Sequence, residues 1–321
     1  MVDENIIETQ MMKYHPFPAL GRDLSRLVLG SMVFSLEALD LTFELLDTWM
    51  ELGGNIVDTA HVYSGGNSER AIGRWFQERG RWDELVLLTK GAHHNADRRR
   101  VTPEDITCDL RDSLARLKID TIDLYLLHRD DPDAPVGPIV EALNEHRRAG
   151  RIRAFGGSNW SPERLEAANA YAAAHGLEGF SASSPNLSLA VQNEPVWTDC
   201  LSASDPQSRA WYTRTQMPLF AWSSQAGGFF TGLYSPDNLE NEDMVRVYYS
   251  DDNWERLRRA TELGERRGFT AHQVALAWVL HQPFPVFALI GPHTVEELKS
   301  SVAALNLELS PDEVRWLNLE E

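Results

Sequence analysis

Short apolar runs alternate with longer amphipathic stretches from about residue 27 to the end of the chain, and this alternation restricts the fold more than any other feature. "RLVLG" precedes "LTFELLDTWMELG", "NIVDTA" precedes "SERAIGRWFQERG", and "ELVLLTK" precedes "TPEDITCDLRDSLARLKID". "TIDLYLLH" leads into "VGPIVEALNEHRRAG", and "RIRAFGGSN" into "SPERLEAANAYAAAHG". "GFSASS", "MPLFAWS" and "PVFALIG" complete a set of eight apolar runs. Strands that alternate with helices indicate βαβ units and a parallel sheet.

The helix boundaries support this division. Thr102–Pro103–Glu104–Asp105 and Ser161–Pro162–Glu163 each pair a capping acceptor with a proline in the first turn, and Ser68 before Glu69 reads as a third start. Gly53, Gly80, Gly150 and Gly176 stand where helices should stop. Eight such units close as a barrel or open as a doubly wound sheet. A doubly wound dinucleotide domain carries G-x-G-x-x-G after its first strand, and "LVLGSMVFS" lacks it. The expected fold is therefore an α/β chain forming one (β/α)8 barrel over residues 1–321, a length and a 43% hydrophobic content that suit such a core.

Two long segments, 184–217 and 233–253, interrupt the pattern after the sixth and seventh strands and are expected to be loops at the C-terminal face, where barrel active sites lie. Residues 1–13 read as an N-terminal extension; the start is acidic and has no long apolar core, unlike a signal peptide or anchor. The net charge of −18 argues against nucleic acid or an anionic membrane as partner and for a small neutral or cationic substrate. Cys108 and Cys200 are too few for a disulfide framework or zinc cluster, so a reducing cytoplasm is the expected location.

The positions just past the strands hold the chemistry. Asp58 ends the second strand with Tyr63 in its loop, Lys90 ends the third, His128 the fourth, and Ser158 and Asn159 the fifth. Singly, each has an ordinary explanation: a turn cap, a half-buried packing ring, a solvated charge, a hydrogen-bonded core histidine. Four ionisable groups at one end of three adjacent strands are expensive to desolvate unless they serve one another. Together they form a proton-delivery device. A lysine ammonium ~4 Å from a phenol, at an effective dielectric of ~20, is worth about 4 kcal/mol, or roughly three pK units. That is expected to bring Tyr63 towards neutral pH, with Asp58 holding Lys90 charged and His128 orienting a carbonyl. No nucleophile or metal set accompanies them. His93–His94 and "HRDDPD" match no strong ligand spacing and read as solvated or at the substrate rim, and "DRRR" at 97–100 reads as an exposed loop or helix start.

"NIVDTAHVYSGGNSERAIGRWF", "LLTK", "DLYLLHRDDP" and "GGSNW", in that order and spacing, resemble the aldo-keto reductases, a likeness that runs from about Arg22 to the C-terminal "ALIGPHTVEELKSSVAALNLELS". The resemblance implies a barrel without a Rossmann domain that binds NADPH and interconverts aldehydes, ketones or sugars with their alcohols. It assigns the catalytic tetrad to Asp58, Tyr63, Lys90 and His128. It places Ser158 and Asn159 on the nicotinamide carboxamide, and Trp222 stacked on the ring. Ser223, Ser224, Gln225 and Gly227 fall beside the pyrophosphate, and Gly291 and His293 at the adenosine 2′-phosphate. Apart from the resemblance, the aromatic content of the long loop makes Trp197 and Trp211 expected substrate contacts or else core or lid packing, and Met32 joins them as an expected contact. Ser184 stands where the family usually has a glutamine, and Glu297 and Ser301 near its usual arginine and asparagine. A carboxylate at Glu297 would repel a 2′-phosphate and accept from a free ribose hydroxyl, which keeps NADH open beside NADPH. An alternative reading is a nucleotide-binding barrel that regulates or interacts with little turnover.

Overall fold

The computed structural model describes residues 12–81 and 83–320. The expected extension over 1–13 lies outside these residues except for Met12 and Lys13. The chain opens with an antiparallel hairpin, β1 (Tyr14–Phe17) and β2 (Arg22–Ser25), in which Phe17 lies opposite Arg22. Eight strands then close into a barrel: β3 (Leu27–Gly30), β4 (Ile56–Asp58), β5 (Val86–Gly91), β6 (Ile122–Leu127), β7 (Ile152–Ser158), β8 (Ser183–Ser184), β9 (Leu219–Ala221) and β10 (Val286–Ile290). Neighbours pair in parallel, and β10 returns to pair with β3. The wall of helices is α1 (Leu39–Glu51), α2 (Asn67–Arg79), α3 (Pro103–Leu117), α4 (Val136–Arg148), α5 (Pro162–Ala174), α6 (Pro206–Thr215), α7 (Glu242–Tyr248), α8 (Asp251–Arg267), α9 (Ala271–Leu280), α10 (Val295–Ala303) and α11 (Pro311–Leu317). Among the described residues no helix is long and apolar enough to cross a membrane.

The eight expected strands and the barrel are all present, and local boundaries follow the chemistry of the caps. The hydroxyls of Thr102 and Ser161 accept from the amides of Asp105 and Arg164, as their position before proline dictates. Ser68 does not cap α2. Gly66 occupies that position at φ 87°, and the Ser68 hydroxyl is buried among Ser31 and Thr59 instead. Strand β8 is only two residues long because Pro185, which has no N–H, follows it. The segments expected to be long loops are partly helical. Residues 184–217 contain α6, capped by Asp205, and 233–253 contain α7, capped by Asn241.

Strand alternation divides the apolar residues into two cores. Leu27, Leu29, Tyr125 and Leu127 face outward under the helices, whereas Val28, Ile56, Val86, Leu88, Leu124, Leu126, Ala154, Ala182, Phe220, Phe287 and Leu289 fill the barrel. The hairpin seals the bottom. Phe17 meets Phe220 and Phe287 edge-on at 5.7 and 6.0 Å, and Leu24 packs beside it. Truncating this plug with Phe17→Ala is expected to cost about 3–5 kcal/mol, read as a lowered midpoint in urea unfolding. A shift below about 1 kcal/mol would show that the hairpin does not close the core.

Candidate active site

The same alternation that fills the barrel delivers the site. Asp58 lies two residues past Ile56, Lys90 two past Leu88, His128 two past Leu126, Ser158 four past Ala154, Ser184 two past Ala182 and Trp222 two past Phe220. All reach the C-terminal mouth. Tyr63 comes from the turn after β4, where Ser64 and Gly65 take left-handed backbone at φ 50° and 60°. The turn before Tyr63, closed by its amide on the Ala60 carbonyl at 3.0 Å, sets the phenol beside Lys90.

The Lys90 ammonium is buried and makes three contacts: the Asp58 carboxylate at 2.5 Å, the Thr59 carbonyl at 3.1 Å and the Tyr63 hydroxyl oxygen at 3.3 Å. All three of its N–H bonds are thus accounted for. Because Lys90 donates to the phenol oxygen, the phenol proton remains available to something else. The Tyr63 ring stands edge-on to His128 at 5.7 Å. Burial would depress the Lys90 ammonium, yet Asp58 and Tyr63 turn its net shift upward. Burial also raises Asp58, against the pull of Lys90.

Two further shifts decide the chemistry. Burial raises the Tyr63 phenol above its ordinary value, and Lys90 only partly opposes this. The expected descent of Tyr63 towards neutral pH is therefore not realised: burial outweighs the Lys90 ammonium, and the Asp58 carboxylate adds to the upward shift. His128 moves the other way. Burial first, then the charges of Lys90 and Arg129 and the neighbouring His93 and His94, hold its imidazole well below 6.5 and so neutral.

Ser158, Asn159, Ser184 and Trp222 form one hydrogen-bonded unit. Ser158 Oγ donates to the Ser184 carbonyl, and Ser184 Oγ donates to that of Phe220. Asn159, at φ 58°, donates to Ser158 Oγ and the His128 carbonyl and accepts from Trp222 Nε1 and the Leu201 amide. Ser223, Ala226, Gly227 and Gly228 follow with left-handed backbone. Ser224 is buried, donating to the Leu289 carbonyl, and Gln225 reaches Ser301 at 3.4 Å. A Cβ on Gly291 would meet no atom within 4 Å. Beyond it, the Glu297 carboxylate accepts from the His293 amide at 2.7 Å.

Of the expected substrate contacts, Trp197 is exposed at the rim with its ring 5.8 Å from that of Trp222, and Met32 is exposed on the loop after β3. Trp211 is not at the mouth. It is buried in the outer wall, where α6 packs near α5 and the indole donates to Glu166. Helical spacing puts it there, and an aromatic count does not register spacing. His93 and Arg129, from the two segments read as solvated or at the substrate rim, lie beside His128. The His93 ring lies 4.8 Å from His128, and the buried Arg129 donates to the His128 carbonyl. The "HR" dipeptide was the only sequence signal for the latter. No cluster of three or more metal-ligating side chains occurs among the described residues, and the three arginines of "DRRR" are paired with aspartates.

A closed parallel barrel with polar groups gathered at its C-terminal mouth has the architecture of a (β/α)8 enzyme. The model of the Aldo/keto reductase family matches residues 26–318, and the chain belongs to that family. Norsolorinic acid reductase stcV of Emericella nidulans is 30% identical, across 95% of this chain and 80% of that one. The uncharacterized oxidoreductase YrpG of Bacillus subtilis is 29% identical, across 96% of this chain and 95% of that one. The fold is shared with the crystal structure of a thermostable aldo-keto reductase, Tm1743, at a TM-score of 0.73 and 24% identity, covering 97% of this chain and all of that one. The protein is accordingly an oxidoreductase, and aldo-keto reductases use NAD(P)H as a class.

Removing Asp58 leaves a buried ammonium without its counter-ion. Asp58→Ala is expected to destabilise the protein by about 3–5 kcal/mol in urea unfolding. The apolar pair Asp58→Leu/Lys90→Met should recover most of that loss. Equal stability of Asp58→Ala and the native protein would mean that Lys90 is not held by this pair.

Proposed function

We propose that the protein interconverts a carbonyl compound and its alcohol with NAD(P)H, and that Tyr63 is the general acid and base. The observation that carries this is the Lys90 contact: a charged ammonium, held by Asp58, donates to the phenol oxygen and leaves the phenol proton free. The bound cofactor supplies or accepts the hydride. Tyr63 gives its proton to the developing alkoxide, and Lys90 stabilises the phenolate that remains. His128, neutral at physiological pH, can donate to the carbonyl oxygen without adding charge to the mouth.

The residues present fit the cofactor. Gly227 and Gly228 take backbone that L side chains avoid, and the space beside Gly291 lets phosphate oxygens come close. Trp222 would offer its half-buried face to the nicotinamide, and Ser158, Asn159 and Ser184 would hold the carboxamide. Gln225, His293, Glu297 and Ser301 lie at the adenosine end. There the Glu297 carboxylate, fixed by the His293 amide, favours a free ribose hydroxyl over a phosphate. The substrate class we favour is an aromatic aldehyde or ketone. Trp197 and Met32 present apolar surface at the rim, and similar chains include norsolorinic acid reductases and a putative aryl-alcohol dehydrogenase of Saccharomyces cerevisiae.

Tyr63→Phe is expected to lower kcat for an aldehyde such as benzaldehyde by roughly 10²–10⁴-fold; full turnover would refute the assignment. The native pH profile provides a second reading of the same group. Burial keeps the phenol protonated beyond about 10. Carbonyl reduction, which consumes the phenol proton, should therefore stay flat from neutrality to that pH. Alcohol oxidation, which needs the phenolate, should rise throughout the same window. For the cofactor, Glu297→Gln is expected to raise the NADPH to NADH ratio of kcat/KM about two- to fivefold. An unchanged ratio would place Glu297 away from the ribose.

A further inference from the structure

Among the described residues no carboxylate pairs with the buried guanidinium of Arg129. The residue is 6% exposed, and its Nη1 donates to the His128 carbonyl at 2.9 Å. Nε is buried without a partner, and Nη2 makes no hydrogen bond among the described residues. The nearby carboxylates are committed elsewhere. Arg164 holds Asp130 through two bonds of 2.8 and 2.9 Å, and Arg99 bridges Asp131 and Asp199. Arg129 directly follows His128 at the end of β6, and its Nη1 shares the His128 carbonyl with the side-chain amide of Asn159, which puts the guanidinium at the mouth. Nδ1 of His94 and Nδ1 of His128, in the same cluster, are also buried and unpartnered. Folding does not ordinarily bury a lone guanidinium, because desolvating it is unfavourable unless an anion accompanies it.

We infer that Arg129 anchors a substrate subsite for a carboxylate, so that the enzyme selects acidic carbonyl compounds over their neutral counterparts. The free Nε/Nη2 edge is the pair of parallel N–H bonds that takes a carboxylate side-on. The edge of the His94 imidazole can add a donor. This subsite rests on the reductase reading of the Tyr63 centre and adds the class of molecule that centre receives. A chain with a net charge of −18 would otherwise repel such a substrate.

The test compares native protein, Arg129→Met and Arg129→Lys on the three carboxybenzaldehyde isomers and their methyl esters. Benzoate binding, followed by tryptophan fluorescence, accompanies the kinetics. The native protein should favour at least one acid over its ester by roughly ten- to hundredfold in kcat/KM, through KM, the effect of a charge-assisted hydrogen bond. Arg129→Met should abolish that preference and weaken benzoate binding about tenfold or more, and Arg129→Lys should keep part of both. Native ratios at or below one for every isomer would overturn the proposal. So would an Arg129→Met variant that slows acid and ester alike with unchanged benzoate affinity, since Arg129 would then only prop the His128 carbonyl. If Arg129→Met does not fold, the native ratios decide. If neither acid nor ester is turned over, the reductase reading fails, and benzoate binding still decides the subsite.

Discussion

Closing eight parallel strands into a barrel sends every second side chain inward and every strand end to the same rim. Once Phe17 seals the bottom, the next inward position after each apolar layer has only the mouth to face. Asp58, Lys90, His128, Ser184 and Trp222 each sit one such step beyond Ile56, Leu88, Leu126, Ala182 and Phe220. Polar groups that would be ruinous one layer deeper therefore gather where they can meet a ligand. The core and the site are successive positions on the same strands.

The outward residues of β5 steady what the inward ones present. Thr89, between Leu88 and Lys90, turns outward and donates to the fully buried Glu69 of α2, which also receives Arg116 of α3. The Ala92 amide donates to Asp109 of α3, itself paired with Arg100. Lys90 thus belongs to a strand end clamped by charged bonds to two helices, and its ammonium has little freedom to leave Asp58. Burial keeps the Tyr63 phenol above its ordinary value, and the Lys90 ammonium, shared with Asp58, opposes this only in part.

Much of this was legible in the sequence because period-two patterning and strand-end chemistry are local signals. The eight strands, the barrel, the gathering of Asp58, Tyr63, Lys90 and His128 at one mouth and the Thr102 and Ser161 caps all follow from such patterns. What escaped depends on distance in the chain. The β1–β2 hairpin has no helix partner and matters only because Phe17 finds Phe220 and Phe287 some two hundred residues and more away. Ser68 looks like a cap until Ser31 and Thr59 claim its hydroxyl. Trp211 looks like a pocket residue until Glu166 fixes it in the wall. The Tyr63 shift went the opposite way because a pairwise estimate leaves out both burial and the competing Asp58. Arg129 was read only as part of a rim segment, because a lone cation is defined by the commitments of its neighbours, which no spacing encodes.

The loop from residue 185 to 205 shows how a rigid reaction centre and an adaptable wall coexist. On one side, Arg246 of α7 bonds to Glu194 and to the carbonyls of Pro195 and Val196. On the other, Asp199 meets Arg99 from the loop after β5. Trp197 lies between these two tethers, held at the rim against Trp222 yet still 48% exposed. Asn159 joins the two structures, since its carbonyl oxygen accepts from both the Leu201 amide of the loop and the indole of Trp222. Surface ion pairs are individually weak and salt-sensitive. The wall is thus free to change its residues and its shape, whereas the phenol and lysine beneath it are fixed by strand register and a desolvated pair.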